Sequence, residues 1–86
     1  MDFTHVRYFV AVAEERHFTA AAEKVGAAQS SVSWAIGRLE SELGVTLFER
    51  TSRVVELTAH GRAFLPAAQR LLAELDAGEQ AFRAAP

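Results

Sequence analysis

The sequence contains no cysteine. That excludes a disulfide framework, thiolate metal sites and thiol catalysis. Proline occurs only twice and glycine five times, so little interrupts helices and no glycine-rich phosphate loop is present. Charge of one sign is also lacking: 9 Lys and Arg stand against 11 Asp and Glu, a formal net charge of -2. This near balance argues against a pure polyanion binder, and any nucleic-acid contact must rest on where charges are placed. No apolar run approaches the roughly 20 residues of a membrane span. Met1-Asp2-Phe3-Thr4 is not a basic segment leading into a long apolar stretch, so no secretory signal is expected and the expected location is the cytoplasm. His5, His17 and His60 are scattered without ligand spacing, so neither a metal nor another cofactor is expected. No Ser-His-acid arrangement can be argued from the order of residues, and an enzyme is not expected.

What is present is a small helical domain. The chain has 86 residues, 50% apolar and 23% charged, ordinary values for a single globular unit. A domain this short without covalent staples has a limited core and often leans on a partner chain. Residues 5 to 16 predict a first helix, with Val6, Phe9, Val10 and Ala13 forming one stripe. Phe3 and Phe18 flank it as expected core anchors. Thr19 is the expected N-cap of a short second helix through Val25, and Gly26 stands where a left-handed residue would close it.

A third helix is expected from Gln29 to Leu43, with Gly44 closing it. Val32, Ile36, Leu39 and Leu43 give its buried stripe; Ser30, Ser33, Trp34 and Gly37 lie opposite. Ala28 falls at its N-cap and cannot supply a side-chain acceptor. Two helices joined by a tight turn, the second with a small polar outer face, form the helix-turn-helix pattern. Residues 45 to 57 place β-branched and apolar residues on either side of a polar turn, which suggests a two-stranded ribbon, a wing. Thr58 then caps a helix running to about Ala84. Gly61, Phe64, Ala68, Leu71, Leu75, Gly78 and Phe82 alternate three and four apart along it, a heptad seam. Pro66 is expected to bend this helix, because it removes a hydrogen bond to the carbonyl of Arg62. At about 1.5 Å per residue the helix extends roughly 40 Å. It therefore outruns the body, and a dimer paired through Phe64, Ala68, Leu71, Leu75 and Phe82 is expected.

These segments resemble the N-terminal DNA-binding domain of bacterial LysR-type transcriptional regulators. The matching runs are Phe9-Val10-Ala11-Val12-Ala13-Glu14, His17-Phe18-Thr19-Ala20-Ala21-Ala22 and Gln29-Ser30-Ser31-Val32-Ser33, then Ile36, Leu39-Glu40 and Leu43-Gly44-Val45. They continue through Leu47-Phe48-Glu49-Arg50, Arg53 and Leu57-Thr58-Ala59-His60-Gly61, in order and over nearly the whole chain. The resemblance implies a mainly α fold: a winged helix-turn-helix of three helices plus a two-stranded β wing in residues 1–57, then a long linker helix in residues 58–86 that pairs two protomers. It implies binding to an interrupted inverted repeat in double-stranded promoter DNA. It also implies an effector-binding domain in the full-length protein that is absent from these residues.

By the same resemblance, Gln29, Ser30 and Ser33 lie where the recognition helix faces the major groove. Arg50 and Arg53 lie where the wing meets phosphates and the minor groove, and Thr19 and Ser31 fit positions that touch phosphate. The sequence departs from the family at Ala28, where Ser or Thr is usual, at Trp34 and Gly37, where Arg, Lys or Gln is common, and at His60, where Ala or Glu is common. Taken alone, these residues allow other roles. Gln29 is either an adenine-reading amide or a solvated helix start. The serines are either a close-approach face or ordinary polar surface. Arg50 and Arg53 either grip phosphate or pair with Glu49 or Glu56. Arg38 either touches phosphate or pairs with Glu42. Trp34 either contacts DNA or fills a protein contact. A helical dimerisation module with little DNA affinity is the alternative to the DNA-binding reading.

Overall fold

The structure is a computed structural model in which residues 1–49 and 54–86 are described. Four helices and a two-stranded sheet follow in the order α1 (Phe3–Glu15), α2 (Phe18–Val25), α3 (Gln29–Leu43), β1 (Phe48–Glu49), β2 (Glu56–Leu57) and α4 (Ala59–Ala84). β1 and β2 are antiparallel, with Phe48 opposite Leu57 and Glu49 opposite Glu56.

Local signals account for most element ends. Asp2 starts α1: its carboxylate accepts the Thr4 amide at 2.7 Å, and that bond holds the Asp2 pKa below its usual value. The helix therefore begins earlier than the apolar stripe suggests. Phe3, expected in the core, sits in this added first turn and is 51% exposed. The N-cap of α2 is His17, not Thr19; its Nδ1 accepts the Ala20 amide at 3.1 Å. α3 starts at Ala28 without a side-chain cap. Gly26 and Gly44 close α2 and α3 at φ 69° and 72°, a backbone region that glycine enters without a side-chain clash. Thr58 begins α4, accepting the Gly61 amide at 3.0 Å while its hydroxyl donates to the Thr46 carbonyl at 2.7 Å. α4 is continuous through Pro66.

The core lies where α1, α2 and α3 converge under the first half of α4. Val6, Phe9 and Val12 of α1 meet Ala21 of α2, Val32, Ile36 and Leu39 of α3, and Leu47 and Phe48 at the wing's base. Phe9 is its centre: its ring lies 5.4 Å from Phe48 and 5.1 Å from Phe64, tilted in both cases. The carboxylate of Glu40, on α3, accepts the amides of Leu47 at 2.7 Å and Phe48 at 3.4 Å. This ties the entry to the wing directly to α3.

The seam of α4 divides in two. Gly61 and Ala68 are buried in the chain's own core, Phe64 packs against it, and Leu72, outside the heptad pattern, joins them. Phe64 and Ala68, expected in a dimer seam, instead face the body, which fixes α4 to α1. Arg7 to Asp76 at 3.0 Å and Gln69 to Glu14 at 3.2 Å reinforce that attachment. Beyond Leu72 the apolar residues turn outward. Phe3, Leu71, Leu75, Gly78 and Phe82 line one open apolar groove, and Phe82 is 81% exposed.

Candidate nucleic-acid interface

α3 presents the candidate surface. Its buried side, Val32, Ala35, Ile36 and Leu39, seats it on the core. Gln29, Ser30, Ser31, Ser33, Trp34, Gly37 and Arg38 are all exposed. No carboxylate occurs between Gln29 and Leu39. The next two acids are occupied elsewhere: Glu40 holds the wing amides, and Glu42 lies 3.7 Å from the N-terminal ammonium. The outer face of α3 is thus polar, composed largely of short side chains and free of negative charge over three turns, although the whole chain is slightly acidic. Lys24, at the end of α2, bridges Glu14 at 3.3 Å and Glu15 at 3.4 Å, while Asp2 lines the groove beside Ser30, Ser31 and Trp34. The hydrogen bond to Glu14 raises the Lys24 pKa above its usual value.

The structure distributes the predicted site residues unevenly. Thr19 is exposed at the start of α2, and its hydroxyl donates to Gln29 Oε1 at 2.9 Å. It therefore orients the first side chain of α3 as well as facing solvent. Arg38 is exposed one turn beyond Trp34 and forms no ion pair among the described residues; Glu42, one turn further on, lies near the N-terminal ammonium. Arg50 and Arg53 lie outside the described residues. Glu56, a possible partner for them, is 3.4 Å from Arg16. Among the described residues no group of His, Asp and Glu is placed to hold a metal ion, and no helix is long and apolar enough to cross a membrane.

Trp34 is 66% exposed and meets one ring, that of His5 on α1, at 5.6 Å between centroids and 82° between planes. The pair borders an open groove between α1 and α3, with Thr4, Tyr8, Ser30 and Ser31 on its walls. Sequence reasoning considered His5 only as a metal ligand and missed this contact. His5 and Trp34 are far apart in the chain, and no local period joins them.

Helices α2 and α3 joined through a three-residue turn, a short antiparallel wing and a long trailing helix together define the winged helix-turn-helix class. Within that class the chain belongs to the bacterial regulatory helix-turn-helix proteins of the lysR family, whose sequence pattern matches residues 3–62. It is 51% identical over 85 residues to the HTH-type transcriptional regulator ShiR of Corynebacterium glutamicum (strain R), covering 99% of this chain and 29% of ShiR. It is 52% identical over 77 residues to the regulator BudR of Klebsiella aerogenes, covering 90% of this chain and 54% of BudR. The chain thus spans only part of the length of these relatives. Among solved structures it resembles the CbnR DNA-binding domain in complex with DNA, at 40% identity and a TM-score of 0.89, covering 98% of this chain and 97% of that one. It also resembles the BenM DNA-binding domain in complex with benA site 1 DNA, at 44% identity and a TM-score of 0.91, covering 96% of each chain.

Proposed function

We propose that this chain is the DNA-binding and dimerisation part of a bacterial transcriptional regulator. Two copies bind an interrupted inverted repeat in double-stranded promoter DNA in the cytoplasm. The observation that carries this reading is the outer face of α3, which has no carboxylate from Gln29 to Leu39, in a family whose relatives crystallise on DNA. α3 enters the major groove with Gln29, Ser30, Ser33 and Trp34 toward the bases. Ser31, Thr19 and Arg38 lie toward phosphate, and Arg50 and Arg53 reach the backbone and minor groove from the wing. The distal half of α4 pairs the protomers through Leu71, Leu75 and Phe82, which sets the spacing of the two half-sites. The full-length protein carries a further domain that senses an effector, as the greater length of ShiR and BudR suggests.

A salt titration tests the DNA reading. Arg38, Arg50 and Arg53 neutralise about six phosphates per dimer, so log affinity should fall against log salt with a slope of about -5. Arg53→Ala should weaken binding and flatten that slope by about one for each phosphate it leaves without an arginine. A slope near zero, measured by fluorescence anisotropy on duplex DNA, would reject phosphate contact by these arginines.

A further inference from the structure

Trp34 is the one large apolar side chain on the outer face of α3. It is held from one side. The His5 ring meets it at 5.6 Å and 82°, and His5 Nδ1 is out of solvent with no hydrogen-bond partner among the described residues. The imidazole is therefore placed by ring packing and not by a hydrogen bond through Nδ1. On the other side the surface is open. Gly37, one turn along, has nothing within 4 Å of the position a Cβ would take, and Ser30, one turn back, is short and exposed. The indole thus stands as an exposed apolar plate among small neighbours, with His5 against it on one side.

The chemistry of such a plate is selective. Indole has one N–H donor, no strong acceptor and no charge, so it cannot grip the two acceptors of guanine as arginine does. The major-groove edges of the four bases present acceptors, amino donors and a single apolar group, the thymine 5-methyl. Resting on the DNA-binding reading above, we infer that Trp34 reads the thymine 5-methyl group, and that His5 is a positioning residue that holds the indole for it. Contact with that methyl removes apolar surface from water on both partners and needs no donor–acceptor alignment. It provides base discrimination where this chain has Trp34 and Gly37 in place of side chains that carry charge or hydrogen bonds.

The test uses the 86-residue chain and a randomised duplex library. Duplexes enriched by the wild type are resynthesised with each thymine replaced in turn by deoxyuridine, which removes only the methyl. One thymine per half-site is expected at which this replacement weakens wild-type binding about fourfold, the value of one buried methyl. Trp34→Ala should bind the two duplexes alike. His5→Ala should reduce the discrimination without changing the salt slope, and His5→Phe, which restores a ring, should recover it. Equal binding of thymine and deoxyuridine duplexes by the wild type at every position overturns the inference and assigns Trp34 a sequence-neutral contact. Discrimination that survives Trp34→Ala overturns it as well, and discrimination unchanged in His5→Ala overturns the role of His5. A library that yields no enriched duplex rejects the sequence-specific DNA reading itself, and this inference with it.

Discussion

The two halves of α4 carry one continuous heptad pattern and meet different surroundings. From Gly61 to Leu72 the helix is part of the body, with Gly61, Ala68 and Leu72 buried. From Leu71 to Phe82 the pattern faces an open groove shared with Phe3. Leu71 and Leu72 are neighbours in the chain, yet Leu72 is 9% exposed and Leu71 39%. Neighbouring residues point about 100° apart around a helix, so Leu72 continues the buried line of Gly61, Leu65 and Ala68 while Leu71 lies to one side of it. A 3.5-residue repeat drifts by only about 20° per heptad, so Leu71 keeps nearly the side of Phe64. That stripe is covered at Phe64 and open from Leu71 onward because α4 outruns the body. An apolar period marks which residues must be covered; the reach of the body decides whether the chain or a partner covers them.

The sharpest way to break this comparison is to charge the distal half. Leu71→Asp or Leu75→Asp places two carboxylates in a paired seam, a cost of several kcal/mol. Sedimentation should show the dimer dissociating, while the circular dichroism of the protomer stays helical. A dimer that persists would move the interface away from this groove. The proximal half should respond in the opposite way. Leu72→Ala opens a cavity in the core and should lower stability by about 2–5 kcal/mol. Leu75→Ala, assayed at concentrations where the chain is monomeric, should cost much less. Equal losses in thermal melts would contradict the division of α4.

The glycines sharpen the same contrast on a smaller scale. A Cβ on Gly61 would strike the Leu47 carbonyl and lie 2.8 Å from Leu57 Cδ2, whereas one on Gly78 meets nothing within 4 Å. Gly61→Ala should therefore destabilise the fold by about 1–3 kcal/mol. Gly78→Ala should stabilise the monomer by about 0.5–1 kcal/mol through helix propensity alone. A gain of the same order belongs to the start of α3. Asp2, His17 and Thr58 cap the other helices with side chains, and Ala28 does not. Ala28→Ser should raise stability by about 0.5–2 kcal/mol, seen as a higher melting temperature.

Residues whose role is local were legible in the sequence. Gly26, Gly44 and Thr58 end or begin helices as their conformational and capping chemistry requires. The exposed face of α3 followed from the period of Val32, Ile36 and Leu39. Residues with a choice of partners were less legible. His17 and Thr19 both carry an acceptor two residues apart, and either can begin a helix. His17 does so, and the Thr19 hydroxyl donates instead to Gln29 across the helix-turn-helix. Phe3 reads as a core anchor from its composition alone, but the Asp2 cap places it in a first helical turn that overhangs the body.

By itself the sequence determined the order of the elements, where α2 and α3 stop, the uncapped start of α3 and the face of that helix left to solvent. Caps, left-handed glycines and apolar periods act within a few residues of the chain, so they can be read from it. Only the tertiary structure decided that Phe64, Ala68 and Leu72 belong to the body and Leu71, Leu75 and Phe82 do not. It also decided that Glu40 holds the entry to the wing, that Thr19 orients Gln29, and that His5 meets Trp34. These pairings depend on where one helix crosses another, which is set by the packing of the whole core around Phe9 and by no single stretch of sequence.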